Sequence, residues 1–217
     1  MKYHNILFDL DGTLTDPKVG ITRSVAHALN HFGIVVEDTD TLTDFIGPPL
    51  AHTFAKRYGF DDAQCTKAIE VYREYFSVTG KFENVVYPYT EKLLEYAVQS
   101  GIKLFVATSK PELFARDILV HFGLDRYFTD IVGIAMDEEK VEKDVIVGRV
   151  IDRYALEKDK TLMVGDRKFD IDGAHKNGIR CAAVLFGYGN EAEFNEYGAD
   201  YIIDTNEDLF NFIKGIA

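Results

Sequence analysis

From position 102 to 205 short apolar runs alternate with amphipathic stretches, and this alternation restricts the fold more than any other feature of the chain. "IKLFVATS" (102–109) reads as a buried strand. "PELFARDILVHFG" (111–123) reads as a helix, with Pro111 at its first position and Gly123 past its end. "DIVGIA" (130–135), "KTLMVGD" (160–166), "RCAAVLFG" (180–187) and "YIIDT" (201–205) read as further strands, with helices over 142–156 and 171–178 between them. Strands that alternate with helices predict an α/β fold, a mostly parallel sheet covered on both faces. Ligands of such sheets bind beyond the C-terminal strand ends.

The N-terminal stretch "NILFDLDGTLTDP" (5–17) supplies one more strand and the first chemistry. Ile6, Leu7 and Phe8 form a short apolar run bounded by a turn signal, as in a buried parallel strand. Because strand side chains alternate faces, Asp9 and Asp11 are expected to point the same way. Two neighbouring carboxylates at a strand end repel each other and lose hydration. A bound cation would offset that cost. Asp9, Thr108 and Asp166 each fall at a predicted strand end.

Between these regions, from about Val19 to Thr79, the pattern is helical. Ile21, Val25, Ala28, Leu29 and Phe32 recur at helical spacing before Gly33, and "IGPPL" (46–50) interrupts the series. The reading is a core of residues 1–15 and 84–217 with an all-helical unit of 16–83 inserted after the first strand. Aromatic residues of the insert (Phe45, Phe54, Tyr58, Tyr72, Tyr75, Phe76) fit its own packing at this spacing.

A net charge of -12 argues against a nucleic-acid polymer as partner and leaves small anions open, provided local cations or helix N-termini receive them. No apolar stretch approaches the length needed to span a bilayer, and the N-terminus has too short an apolar run for a signal peptide. Cys65 and Cys181 are isolated thiols without metal-ligand spacing. A cytoplasmic protein without a membrane partner is expected.

Several residues carry two readings each. Thr108 and Ser109 precede a helix N-terminus and could face an anion, or Ser109 could cap the helix. Lys143 sits in the first turn of its helix, where a cation opposes the dipole, and Lys140 competes with it for any phosphate-binding role. Asp166 and Asp170 could form a second acidic pair, or a turn and a cap. Lys110, right after Ser109, could bind phosphate and bridge the core and the helical insert, or be the N-cap residue before Pro111. Arg23 and the "IGPPL" loop could face a substrate, or Arg23 could be solvated and the loop a rigid connection. Together, strand-end carboxylates, a hydroxyl and a lysine suit phosphoryl transfer assisted by Mg2+.

These motifs resemble those of the haloacid dehalogenase-like superfamily of hydrolases. They appear in order as "DLDGT" (9–13), "VATS" (106–109), Lys143 before "DVI", and "GDRKFD" (165–170). The insert is similar to the helical cap of the subfamily that includes phosphoglycolate phosphatases and bacterial 5'-nucleotidase-like members. The resemblance implies a Rossmann-like core, a helical cap and a Mg2+-dependent phosphatase that acts on a small phosphorylated metabolite. It implies Asp9 as nucleophile, forming an aspartyl-phosphate, and Asp11 as acid/base that also offers its backbone carbonyl to the metal. Thr108 and Lys143 would hold the phosphate. Asp166 would ligate Mg2+, Asp170 would ligate it or orient its waters, and Gly12 would let the backbone approach the phosphate. Dehalogenases of this superfamily lack the second aspartate of the first motif, so Asp11 points away from them. A phosphomutase, a pyrophosphatase, a phosphoacceptor domain and a non-catalytic phosphate-binding protein are the alternatives. A small acid such as phosphoglycolate and a nucleoside monophosphate both fit as substrate.

Overall fold

The computed structural model describes residues 2–138 and 141–217. Lys140, the rival of Lys143, lies outside the described residues. The chain divides into two compact units, Met1–Asp16 with Val86–Ala217, and Pro17–Val85. The two joints fall one and two residues beyond the positions read from the sequence.

In the larger unit, six strands form one sheet: β1 (Asn5–Phe8), β2 (Lys103–Pro111), β3 (Asp130–Ile134), β4 (Thr161–Gly165), β5 (Arg180–Val184) and β6 (Tyr201–Ile203). Their order is β3-β2-β1-β4-β5-β6, and every neighbouring pair is parallel. Alternation along the strands feeds two cores. Ile6, Phe8, Leu104, Val106, Leu162 and Val164 enter the one that also holds side chains of α4 (Thr90–Gln99), α5 (Glu112–His121) and α9 (Asn206–Ile216). Leu7, Phe105, Ala107 and Met163 enter the other, against α6 (Lys143–Tyr154), α7 (Lys168–Lys176) and α8 (Glu191–Glu196). Burial on both faces explains why these strands are apolar without interruption. The strand order reverses next to β1, so the sheet has its switch point there. Phe8 pairs with Val106 on one side and Val164 on the other, which sets the C-terminal ends of β1, β2 and β4 level.

Four local expectations change. β1 ends at Phe8, so Asp9 and Asp11 lie in the turn beyond it and strand alternation does not set their directions. The carbonyl of Leu10 accepts the N–H groups of Thr13, Leu14 and Thr15, and this tight turn is what stops the strand. β2 runs on to Pro111 through a register shift after Ala107, so Thr108 is inside its irregular end. Pro111 keeps extended backbone and caps α5 instead of beginning it. α7 starts at Lys168, three residues before the expected Ile171. Carboxylates extend it: Asp170 accepts from Arg167 N at 3.0 Å, and Glu193 accepts from Lys168 N at 2.7 Å.

The smaller unit contains α1 (Lys18–His31), a 3-10 segment (Thr39–Phe45), α2 (Leu50–Tyr58) and α3 (Asp62–Phe76). Its aromatic residues form its core, with ring centroids of Phe45 and Phe54 4.8 Å apart and of Tyr72 and Phe76 5.2 Å apart. Arg23 on α1 is ion-paired with Glu83 of the same unit. Among the described residues, no helix is long and apolar enough to cross a membrane.

Gly20 of α1 packs against the backbone of Gly80, where an added Cβ would lie 1.8 Å from the Gly80 carbonyl oxygen. Gly20→Ala is expected to destabilise the protein by about 2 kcal/mol, because backbone, not a flexible side chain, must move. Urea unfolding of the variant measures this. An unchanged midpoint would contradict the packing described.

Candidate active site

The carboxylates gather where β1 and β4 end. Asp9 follows β1, and its N–H still bonds the Val164 carbonyl at 2.9 Å, which ties it to β4. Its Oδ1 accepts from Leu10 N at 2.8 Å. Asp166 follows β4, and Asp170 stands in the first turn of α7. One carboxylate oxygen from each of Asp9, Asp166 and Asp170 lies within 4.8 Å of the others. Lys143, in the first turn of α6, reaches Asp9 Oδ1 at 3.0 Å and Asp170 Oδ1 at 2.7 Å. The Lys143, Asp166 and Asp170 side chains are buried, whereas the Asp9 side chain keeps 15% exposure and is the accessible member.

Asp166 is held at both oxygens: Thr13 Oγ1 donates to Oδ1 at 3.2 Å and Tyr188 N donates to Oδ2 at 2.8 Å. Asp11 pairs through Oδ2 with Lys110, while its Oδ1 is buried without a hydrogen-bond partner. Thr108 Oγ1 is buried and accepts from Lys110 N at 3.3 Å.

These groups perturb each other as charges in a dry site must. Burial, reinforced by the charges of Asp170 and Asp9, pushes Asp166 well above the carboxylate range. Burial also pushes Asp170 up to about 6, against the opposing pull of Lys143. Burial raises Asp11 too, with Lys110 opposing. For Lys143 burial favours the neutral amine, but Asp170 and Asp9 overcome it and hold the ammonium form.

Three carboxylates and one ammonium leave negative charge in excess within a buried space, and this donor set fits a hard divalent cation. The glycines around it point the same way. Gly12 has φ +83°, and a Cβ there would lie 2.2 Å from Asp166 Oδ2. A Cβ on Gly165 would lie 2.2 Å from Asp170 Cγ, and one on Gly187 would lie 2.4 Å from Asp166 Cβ. Only glycine lets the backbone close in on the carboxylates here.

The structure therefore brings together Asp9, Asp166, Asp170 and Lys143, with Gly12 against Asp166 and Lys110 on Asp11. Ser109 is exposed. Arg23 belongs to the helical unit, where Glu83 holds it. The sequence reading missed Thr13, Tyr188, Gly187 and Gly189, although "GYG" (187–189), separated from the end of β5 by two residues, was a visible signal of close backbone approach. It also missed Tyr87, whose phenol is raised by burial and by the charges of Asp16, Asp166 and Asp11.

A family model described as haloacid dehalogenase-like hydrolase matches residues 6–184. The chain is 47% identical over 197 residues to a Pseudomonas aeruginosa protein named 5'-nucleotidase, covering 91% of this chain and 89% of that one. It is 38% identical to the Mycobacterium tuberculosis protein named tyrosine-protein kinase PtkA, covering 93% of this chain and 66% of that one. A crystal structure of a predicted phosphatase from Clostridium acetobutylicum superposes with a TM-score of 0.94 at 42% identity, covering 99% of this chain and 100% of that one.

The raised carboxyl groups yield a pH-dependent expectation. Asp170 titrates at about 6 in the metal-free fold against an ordinary 3.8, so between those values the fold keeps a proton that the unfolded chain has released. Its contribution to metal-free stability is therefore lost as pH rises through that window. A divalent cation must displace the proton, so the rise in Tm caused by Mg2+ should be larger at about pH 7.5 than at about pH 5. Thermal scans with and without Mg2+ measure it, and an equal rise at both pH values would contradict the assignment.

Proposed function

Because this chain belongs to the haloacid dehalogenase-like hydrolases and is a phosphatase of that family, we propose that it hydrolyses small phosphate monoesters with Asp9 as nucleophile, nucleoside monophosphates foremost. The observation that carries this is the buried Asp9–Asp166–Asp170 cluster, in which Asp9 alone is accessible and is paired with Lys143. The similarity to the protein named 5'-nucleotidase supports the nucleoside monophosphate over phosphoglycolate.

Asp9, Asp166 and Asp170, with the backbone carbonyl of Asp11, would hold Mg2+. When bound, the cation supplies positive charge that lets a carboxylate approach an anionic phosphate. Asp9 attacks phosphorus as the ester P–O bond breaks, and Asp11 gives its proton to the leaving alcohol oxygen. Asp11 then takes a proton from water as that water attacks the aspartyl-phosphate, and Asp9 is regenerated. The raised affinity of Asp11 for a proton suits the first role. Its tie to Lys110 keeps the carboxyl in one orientation. Lys143 stays cationic beside Asp9 and neutralises charge on the phosphoryl oxygens, and the Thr108 hydroxyl donates to them. Lys143, which is within the described residues and paired with Asp9, takes the phosphate-binding role in this reading.

The similarity to the protein named tyrosine-protein kinase PtkA favours a second reading, in which a hydroxyl replaces water as final acceptor of the phosphoryl group. One assay separates the two. Inorganic phosphate is measured with nucleoside monophosphates, phosphoglycolate, sugar phosphates and pyrophosphate, with Mg2+ or a chelator. Mg2+-dependent release, fastest from nucleoside monophosphates, is expected. Asp9→Asn should lower it at least ~1,000-fold, or ~4 kcal/mol of transition-state stabilisation. Transfer to an added alcohol or phenol without phosphate release would select the second reading, and release that survives Asp9→Asn would refute both.

A further inference from the structure

The segment Gly187–Tyr188–Gly189 touches the acidic site at several places, and the proposed reaction leaves it unused. The Tyr188 N–H donates to Asp166 Oδ2 at 2.8 Å. Its hydroxyl donates to Asp16 Oδ1. Both flanking glycines are pressed against neighbouring loops, Gly187 against the turn after β1 and Gly189 against the loop after β4. A Cβ on Gly187 would lie 2.4 Å from the Gly12 carbonyl oxygen, and one on Gly189 would lie 2.1 Å from the Asp166 carbonyl oxygen.

Asp16 closes the tight turn that begins at Asp9. Within that turn Gly12 N bonds Thr15 O at 2.8 Å, and Asp11 and Thr15 form a bridge. Thr13 fixes one side of the turn to Asp166, and Tyr188 fixes its far end. The turn carrying Asp11 is thus clamped at two points to the loops after β4 and β5. Leu14 O accepts from Tyr87 N at 3.2 Å, so the middle of the turn is tied as well, and the Tyr188 hydroxyl is a tie at its last residue, Asp16.

We infer that Tyr188 is a positioning residue, whose hydroxyl bond to Asp16 anchors the Asp9–Asp16 turn and thereby holds Asp11 in place for proton transfer to and from the reacting phosphate ester. The inference rests on the reading of Asp11 as the acid/base. Tyr188 itself touches neither phosphorus nor the leaving oxygen in this scheme.

The experiment uses the full chain in four variants: Tyr188→Phe, Asp16→Ala, their combination, and Asp16→Asn, which keeps an acceptor oxygen. The first readout is amide hydrogen exchange of the peptide covering residues 9–16. Tyr188→Phe should speed that exchange about tenfold while the sheet amides stay protected. It should add nothing once Asp16 is alanine, and Asp16→Asn should remain near the wild-type rate. The second readout is steady-state kinetics with the best substrate of the panel. Tyr188→Phe should lower kcat about tenfold and leave KM and the Mg2+ requirement within about twofold, because the backbone N–H to Asp166 survives.

Unchanged exchange in Tyr188→Phe overturns the inference, and so do effects of the two single variants that multiply. Exchange that rises throughout the sheet, with kcat and KM changing together, assigns Tyr188 to general stability and overturns it as well. A wild-type protein that releases no phosphate would remove the phosphatase reading and with it the role for Asp11. The exchange data would still decide whether the anchor exists.

Discussion

Three carboxylates share a buried space with one ammonium group, and much of the larger unit is arranged around that imbalance. Burial away from water, with like charges close by, would drive Asp166 and Asp170 to take up protons, and both carboxyl groups are raised in that direction. The fold resists by fixing every member. Asp9 is tied to the edge of β4, Asp166 to Thr13 and the Tyr188 N–H, Asp170 to the N-terminus of α7, and Lys143 to two carboxylates at once. A site in which repulsion is held by rigid neighbours is already organised for a cation and an anionic ester before either arrives.

The same constraint explains the glycines. Backbone must come within side-chain distance of Asp166 and Asp170 on several sides, and Gly12, Gly165, Gly187 and Gly189 occupy the points where a Cβ would collide. Glycine placement around the cluster is thus part of the electrostatic design, since a larger residue would push the carboxylates apart or turn them towards solvent. The helical unit follows a different logic. Its aromatic side chains are used for its own packing, and Arg23 on α1 is paired within it.

Much of this was legible in the sequence because its causes are local. Uninterrupted apolar runs in 102–109 and 160–166 mark strands buried on both faces, and the parallel sheet follows. Asp9, Asp166, Asp170 and Lys143 could be singled out because each follows or opens a regular element. One error had a local cause, and the others came from long-range partners. Strand alternation gave no basis for the directions of Asp9 and Asp11, because the turn at Leu10 ends β1 first. α7 begins early because Glu193, 25 residues further on, accepts from Lys168 N. Lys110 gave two readings until its pairing with Asp11 was seen, and nothing near Tyr188 in sequence announces Asp16, 172 residues away. Local pattern fixes what a residue can do; which partner it meets is decided by the order of strands in the sheet.

In this account Asp9 alone among the clustered carboxylates can reach an incoming ester, and the others serve charge and position. The most direct measurement is the chemical identity of the protein during turnover. Enzyme mixed with excess substrate and Mg2+ is quenched in acid within the first turnovers, digested and mapped by mass spectrometry. The account predicts a phosphoryl group on the peptide containing Asp9, labile to hydroxylamine as an acyl phosphate is, and absent from Asp9→Asn. A phosphoryl group on another residue, or an unmodified Asp9 peptide while phosphate accumulates in a burst, would contradict it.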